Sequence, residues 1–267
     1  MSDTEIIARL DELLAKGRSA VLCTLIHKEG SGPRGEGAKM LVDAEGRPFG
    51  TIGGGGMERR LVAEALEALR EGRPRTLTFA MGIEPDEGAV AVDSLCGGEV
   101  KIFLDVINPD PRLIVVGSGH IGKPVSDLAH GVGFEVHVVD DAVTTTRERF
   151  AHARRIYPGP FEEELGRIDV RPSDFVAVVH GDTQHEFAAL RKFLDAETTY
   201  VGLLGSGNKA MEHRKRLLEE GYPAEKVEAI HAPIGLKIGA VTPEEIAVSV
   251  VAELIEVRRR GGSRKAS

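Results

Sequence analysis

Only two cysteines, Cys23 and Cys96, occur in the 267 residues, which excludes a disulfide framework and leaves no paired spacing for a zinc finger. No apolar run approaches the roughly 18 residues that a membrane-crossing helix needs. The opening stretch MSDTEIIARLDELLAKG carries acids early and lacks an uninterrupted apolar segment before a small-residue cleavage site, so it does not read as a secretory signal. A cytoplasmic protein without membrane attachment is expected. Positive charge is outweighed: 42 acids against 34 bases give a net charge of -8, and the densest basic cluster is the tail RRRGGSRKAS. That distribution argues against a nucleic-acid-binding surface, and the tail reads as solvated and disordered. There is no repeat at a fixed period, which removes the solenoid architectures.

What remains is ordinary globular material, 42% hydrophobic and 28% charged, long enough for two domains. We place the first at residues 1–107, a proline-bearing linker at 108–111, the second at 112–260 and the tail at 261–267. Ile6, Ile7, Leu10, Leu13 and Leu14 recur at helical spacing, with Thr4 as a candidate cap and Gly17 as a stop. A buried strand over 19–30 and a hairpin turning at 44–47 follow, then a helix from Met57 to Leu69 and strands over 76–80 and 97–107. This is an α+β opening. From 113 onward a strand, a glycine turn, a helix and a second strand ending in Asp140 form a βαβ unit. The later runs FVAVVH, TYVGLLGS and EAIHAP alternate with helices and a final capped helix from Thr242, as in a doubly wound sheet.

Several stretches carry chemistry. Gly53, Gly54, Gly55 and Gly56 stand together just before a helix, where exposed backbone N–H groups and the helix dipole favour an anion. Arg34 and Lys39, among the glycines of HKEGSGPRGEGAKM, add cations that suit an anionic ligand, although solvated loop charges are the commoner fate of such residues. Gly117, Gly119 and Gly122 spell G-x-G-x-x-G directly after a strand, with Asp140 about 20 residues on, the fingerprint of dinucleotide binding. Gly117 would make the tight turn, Gly119 admit a pyrophosphate and Gly122 allow close helix packing, while Asp140 would accept from a ribose hydroxyl. The alternative is a turn kept for packing alone. GLLGSGNK places Ser206 near a helix cap and Lys209 in the first turn, either as a ligand contact or as plain loop chemistry. Cys96, followed by two glycines, is a candidate reactive thiol, whereas Cys23 reads as core filler. His180, Asp182 and His185 lie beyond a strand, where histidine and carboxylate could bind metal or move a proton. Spacing does not fix a third ligand, and no metal site is assigned.

The motifs EGSGPRGEGAKMLV, GTIGGGGMER, LCGGEVKIFL, LIVVGSGHIGKPVSDLAHGVGFEVHVVDD, YVGLLGSGNK and HAPIGLKIGAVTPEEIAVSVVAELI together resemble the xanthine dehydrogenase accessory factor family, XdhC/CoxI. The resemblance covers nearly the whole chain and implies an N-terminal α+β XdhC/CoxI domain followed by a Rossmann-like doubly wound domain, an α/β protein overall. It further implies a maturation factor for molybdenum hydroxylases. Such a factor binds molybdenum cofactor, as molybdopterin or its dinucleotide form, supports its sulfuration by a cysteine desulfurase and delivers it to the apoenzyme. The family tends to form homodimers. In that frame Cys96 is the candidate thiol, and the glycine loops, Arg34 and Lys39 would hold the pterin's phosphate. The sequence departs from the pattern at Gly56, where many relatives carry cysteine, and at Lys237, where relatives often carry an acid. GSGNK also stands where basic residues often follow the Gly-Ser pair. The competing expectations are an NAD(P)-dependent oxidoreductase built on the Gly117 fingerprint, or a protein-binding adaptor that keeps a degenerate Rossmann fold.

Overall fold

Along residues 20–25 apolar side chains point alternately to the two faces of a strand, so both faces must be covered. The structure, a computed structural model, describes residues 1–30, 34–81, 90–92 and 98–259. Cys96 and the tail at 261–267 lie outside the described residues. The chain forms two units, Met1–Pro109 and the residues from Asp110 on.

In the first unit α1 (Asp3–Ala15), β1 (Ala20–Gly30), β2 (Lys39–Asp43), β3 (Pro48–Gly50), α2 (Gly55–Glu71), β4 (Arg75–Met81), β5 (Val90–Val92) and β6 (Gly98–Ile107) follow in order. The strands make one sheet ordered β3-β2-β1-β6-β4-β5, antiparallel except for the parallel β4–β5 pair. Period two divides the work. Val21, Cys23 and Leu25 face α2, packing with its Met57, Leu61 and Ala65. Ala20 and Leu41 point the other way, onto Ile6, Leu10 and Leu13 of α1. The cap of α1 is Ser2 rather than Thr4, because Glu5 reaches back to the Ser2 amide at 2.6 Å and completes a reciprocal capping box.

In the second unit β7 (Arg112–Val116), α3 (Gly122–Gly131), β8 (Glu135–Asp140), β9 (Arg155–Pro158), α4 (Phe161–Gly166), β10 (Asp174–Val178), α5 (Thr183–Asp195), β11 (Tyr200–Leu203), α6 (Gly207–Glu219), α7 (Ala224–Glu228) and α8 (Pro243–Arg259) follow. The sheet order is β11-β10-β7-β8-β9, every pair parallel. Read from β9, this is 3-2-1-4-5, the first five strands of the doubly wound dinucleotide-binding order, as the sequence leads one to expect. The strands β7 and β10 are buried at every position, because helices cover both faces of a parallel sheet. The order reverses between β7 and β10, so the crevice at their carboxyl ends is where ligands of such sheets bind. The Arg112 guanidinium holds the opposite end together. It is buried with Asp174 and donates through Nε to Oδ1 at 2.8 Å and through Nη2 to Oδ2 at 2.6 Å.

One expected strand is absent. Residues 228–233, EAIHAP, contribute only a single parallel bridge between His231 and Gly202, since α7 occupies the start of the segment and Pro233 has no N–H with which to extend a ladder.

Candidate functional site

The glycine run in the first unit lies between β3 and α2, and the helix begins inside it, at Gly55. Gly54 and Gly55 adopt φ of +82° and +67°, left-handed values at which a side chain is strained. Gly53 and Gly56 do not. Space is open around both left-handed residues: a Cβ built at either meets no atom within 4 Å. The donors of the loop turn inward. One oxygen of Glu58 accepts the amide hydrogens of Ile52 (3.1 Å), Gly53 (3.2 Å) and Gly54 (2.8 Å), together with the Thr51 hydroxyl. Burial pushes the Glu58 carboxyl upward, but these four donors outweigh it and hold its pKa below the ordinary range. The expectation that the whole run presents donors outward therefore needs correction: the amides of Gly53 and Gly54 already serve an internal carboxylate. Outward donors are left to the first turn of α2, whose N-cap Gly54 offers no side chain.

The structure does not pair Lys39 with this loop. Its ammonium is bound to Asp3 at 3.2 Å and to the Gly37 carbonyl at 2.9 Å. Arg34 is exposed. Cys23 is fully buried in the sheet core, and burial pushes its thiol up to about 12, so it is no nucleophile.

In the second unit the three fingerprint glycines play different roles. A Cβ on Gly122 would stand 1.9 Å from the Gly117 carbonyl oxygen, and one on Gly117 would stand 2.6 Å from the His180 Cα. These two exist for close packing. Gly119 meets nothing within 4 Å, leaving the backbone open to a ligand. Asp140, at the end of β8, turns into the turn: its carboxylate accepts the amide hydrogens of Ser118 and of Ala142, the latter at 3.0 Å. His180 lies against it at 3.2 Å through Nε2. Burial raises the Asp140 carboxyl, yet the His180 contact and the Ser118 and Ala142 amides overcome this and hold its pKa well below the carboxylate range. A ribose hydroxyl approaching Asp140 would meet an oxygen pair already in use.

Ser206 caps α6 by accepting from the Lys209 amide at 3.3 Å. The Lys209 ammonium is 2.6 Å from Glu186, a fully buried carboxylate that also accepts the Gly181 amide (3.1 Å) and faces His213 Nε2 (3.1 Å). Lys209 thus neutralises a buried acid that its local spacing does not reveal. Asp182 caps α5, accepting from Gln184 and His185 at 2.8 and 3.0 Å. The carboxylate that joins His180 and His185 is instead Asp141. Glu58, Glu186 and Asp141 contact or adjoin the candidate residues, and the sequence motifs do not single them out. Glu58 alone leaves a signal there, an acid in the first turn of a helix that opens on a glycine run.

Comparison with known proteins supplies the wider frame. Residues 113–254 match the XdhC Rossmann domain, and residues 13–80 match the XdhC and CoxI family. The chain is 36% identical over 89% of its length to the Escherichia coli protein YqeB, of whose length it spans 43%. It is 30% identical to a Bacillus subtilis protein named as a probable component of xanthine dehydrogenase, covering 94% of this chain and 97% of that one. It is 27% identical to the molybdenum cofactor insertion chaperone PaoD of Escherichia coli, over 92% of this chain and 86% of that one. A crystal structure of a xanthine dehydrogenase from Bacillus halodurans matches with a TM-score of 0.51 at 27% identity, covering 100% of this chain and 97% of the other. No helix among the described residues is long and apolar enough to cross a membrane. With both of its units matched in order, the chain belongs to the XdhC and CoxI family.

Proposed function

We propose that this protein carries molybdenum cofactor as cargo during the maturation of a molybdenum hydroxylase of the xanthine dehydrogenase type. The observation that carries the reading is the open backbone floor at Gly54 and Gly55, at the N-terminus of a long helix, in a chain similar over 92% of its length to a cofactor insertion chaperone. The fit is chemical. The neighbouring amides of residues 52–54 already hold a carboxylate oxygen, so the loop is built to stabilise an oxyanion. The first-turn amides of α2 lie beside it for the cofactor's phosphate. Arg34 would add charge, and Cys96 would meet the metal end while a cysteine desulfurase supplies sulfur. Transfer to the apoenzyme, by a homodimer, completes the role.

The test is to purify the full chain from a host that accumulates molybdenum cofactor and to oxidise the bound pterin to its fluorescent derivative. Stoichiometric pterin that activates a cofactor-free client enzyme is the expected result. Absence of pterin from the purified chain, with and without client, sinks the reading. Gly117, Gly119 and Gly122 motivate a second reading, an NAD(P)-dependent oxidoreductase. NADH fluorescence titration that saturates, with no pterin retained, would favour it.

A further inference from the structure

At the carboxyl end of the second sheet, β8 ends in Asp140 followed by Asp141, β10 leads through Val179 to His180, and α5 starts close by. His180 follows β10, and the left-handed Gly181 (φ +95°) turns the chain so that α5 brings His185 back alongside. The two rings meet edge to face, with centroids 4.6 Å apart, and Phe161 stacks on His185 at 4.1 Å and abuts His180 at 5.2 Å. The apolar ring thereby fixes both imidazole planes.

The nitrogens converge. His180 Nδ1 accepts the Asp182 amide hydrogen at 3.2 Å, which puts the ring proton on Nε2. That one hydrogen faces three acceptors: Asp140 Oδ1 at 3.2 Å, His185 Nδ1 at 3.3 Å and Asp141 Oδ1 at 3.8 Å. Asp141 also approaches His185 Nε2 at 3.9 Å. A point with two imidazoles and two carboxylates around a single proton holds more donor atoms than a proton can use.

We propose that Asp141, His180 and His185 form a binding site for a divalent first-row transition ion. Metal bonds of about 2.1 Å in tetrahedral arrangement place ligand atoms roughly 3.4 Å apart, close to the separations here, and one ligand atom from each of the three residues lies within 4.8 Å of the others. Nitrogen and carboxylate donors together suit borderline ions such as zinc or cobalt. The side chains of His180, His185 and Asp141 are 11%, 25% and 44% exposed, so an ion reaches them from solvent. Binding displaces the Nε2 proton of His180. That proton moves to Nδ1 at the expense of the long Asp182 contact, so the ligand is a neutral imidazole. The bound ion offsets the charge of the two aspartates. The assignment is independent of the cofactor reading, because it needs neither pterin nor client.

The test uses the full chain without a histidine tag, stripped with chelator, and Co2+ alone as probe. One saturable equivalent per chain with a visible d–d absorption band, displaced by Zn2+, is expected. Asp141→Asn and His185→Ala should each weaken Co2+ binding at least tenfold, while His130→Ala, at an exposed histidine of the same unit, binds as the native chain does. Circular dichroism melting reports the fold of each variant. Asp141 is exposed and its replacement is isosteric, so it decides the matter if His185→Ala fails to fold. No saturable Co2+ uptake by the native chain, or native affinity in Asp141→Asn, overturns the assignment.

Discussion

The carboxylate of Glu58 sits 2.8 Å from the amide nitrogen of Gly54 and receives its hydrogen, closing the glycine loop from within. A helix side chain thus occupies a cradle whose amides would suit a ligand's anion. Losing it leaves three loop amides without that acceptor. Glu58→Ala should lower stability by about 1–3 kcal/mol, and Glu58→Gln by less, since one acceptor oxygen remains. Inorganic phosphate should raise the melting temperature of Glu58→Ala more than that of the native chain, read by scanning calorimetry.

The same carboxylate makes a pH prediction. Its folded pKa is depressed, so its contribution is fully present above the unfolded value of about 4.3 and is lost as pH falls through the lower folded value. The melting-temperature gap between the native chain and Glu58→Gln should therefore be constant from pH 5 to 8 and shrink progressively below about pH 4. A gap that widens on acidification would contradict the hydrogen-bond pattern.

The four glycines are not equivalent. Gly55→Ala forces a side chain into φ +67° and should cost roughly 1–2 kcal/mol. Gly56→Ala carries no such backbone penalty and enters a helix, where alanine is favoured by up to about 1 kcal/mol. Paired thermal melts should move in opposite directions.

In the second unit, Gly122→Ala drives a methyl group into the Gly117 carbonyl and should prevent the βα turn from forming, abolishing soluble expression or native circular dichroism. Gly119→Ala has room and should fold normally. If a nucleotide-bearing ligand lies on that turn, Gly119→Ala lowers its retention, measured by mass spectrometry of released ligand, without lowering the melting temperature.

Removing one member of the buried Arg112–Asp174 pair strands the other charge. Asp174→Ala should destabilise the second unit by about 3–5 kcal/mol, seen as loss of amide-exchange protection in β7 and β10. Replacing both with apolar residues of similar volume should recover most of the loss.

Much of the fold was legible because periodicity is local. The apolar runs at 20–23 in β1 and 113–116 in β7 each mark a strand buried on both faces. The G-x-G-x-x-G spacing likewise marked the turn at Gly117. EAIHAP misled because an apolar run ending in proline satisfies a strand pattern while lacking the donors of a ladder. The site was legible only in part. Lys209 has the placement of an anion contact, and only the fold sets Glu186, 23 residues earlier in the chain, beneath it.

By itself, then, the sequence determined the two-part α/β architecture, the positions of the glycine turns and the family, since these rest on short-range spacing and order along the chain. Tertiary structure decided which polar groups remain to meet a ligand. Glu58 took the loop amides, Asp140 took the Ser118 amide, and Asp141 rather than Asp182 joined the two histidines. Hydrogen bonds and metal sites are set by distances of about 3 Å through space, and which residues reach that distance depends on strand order and helix docking, which no local spacing encodes.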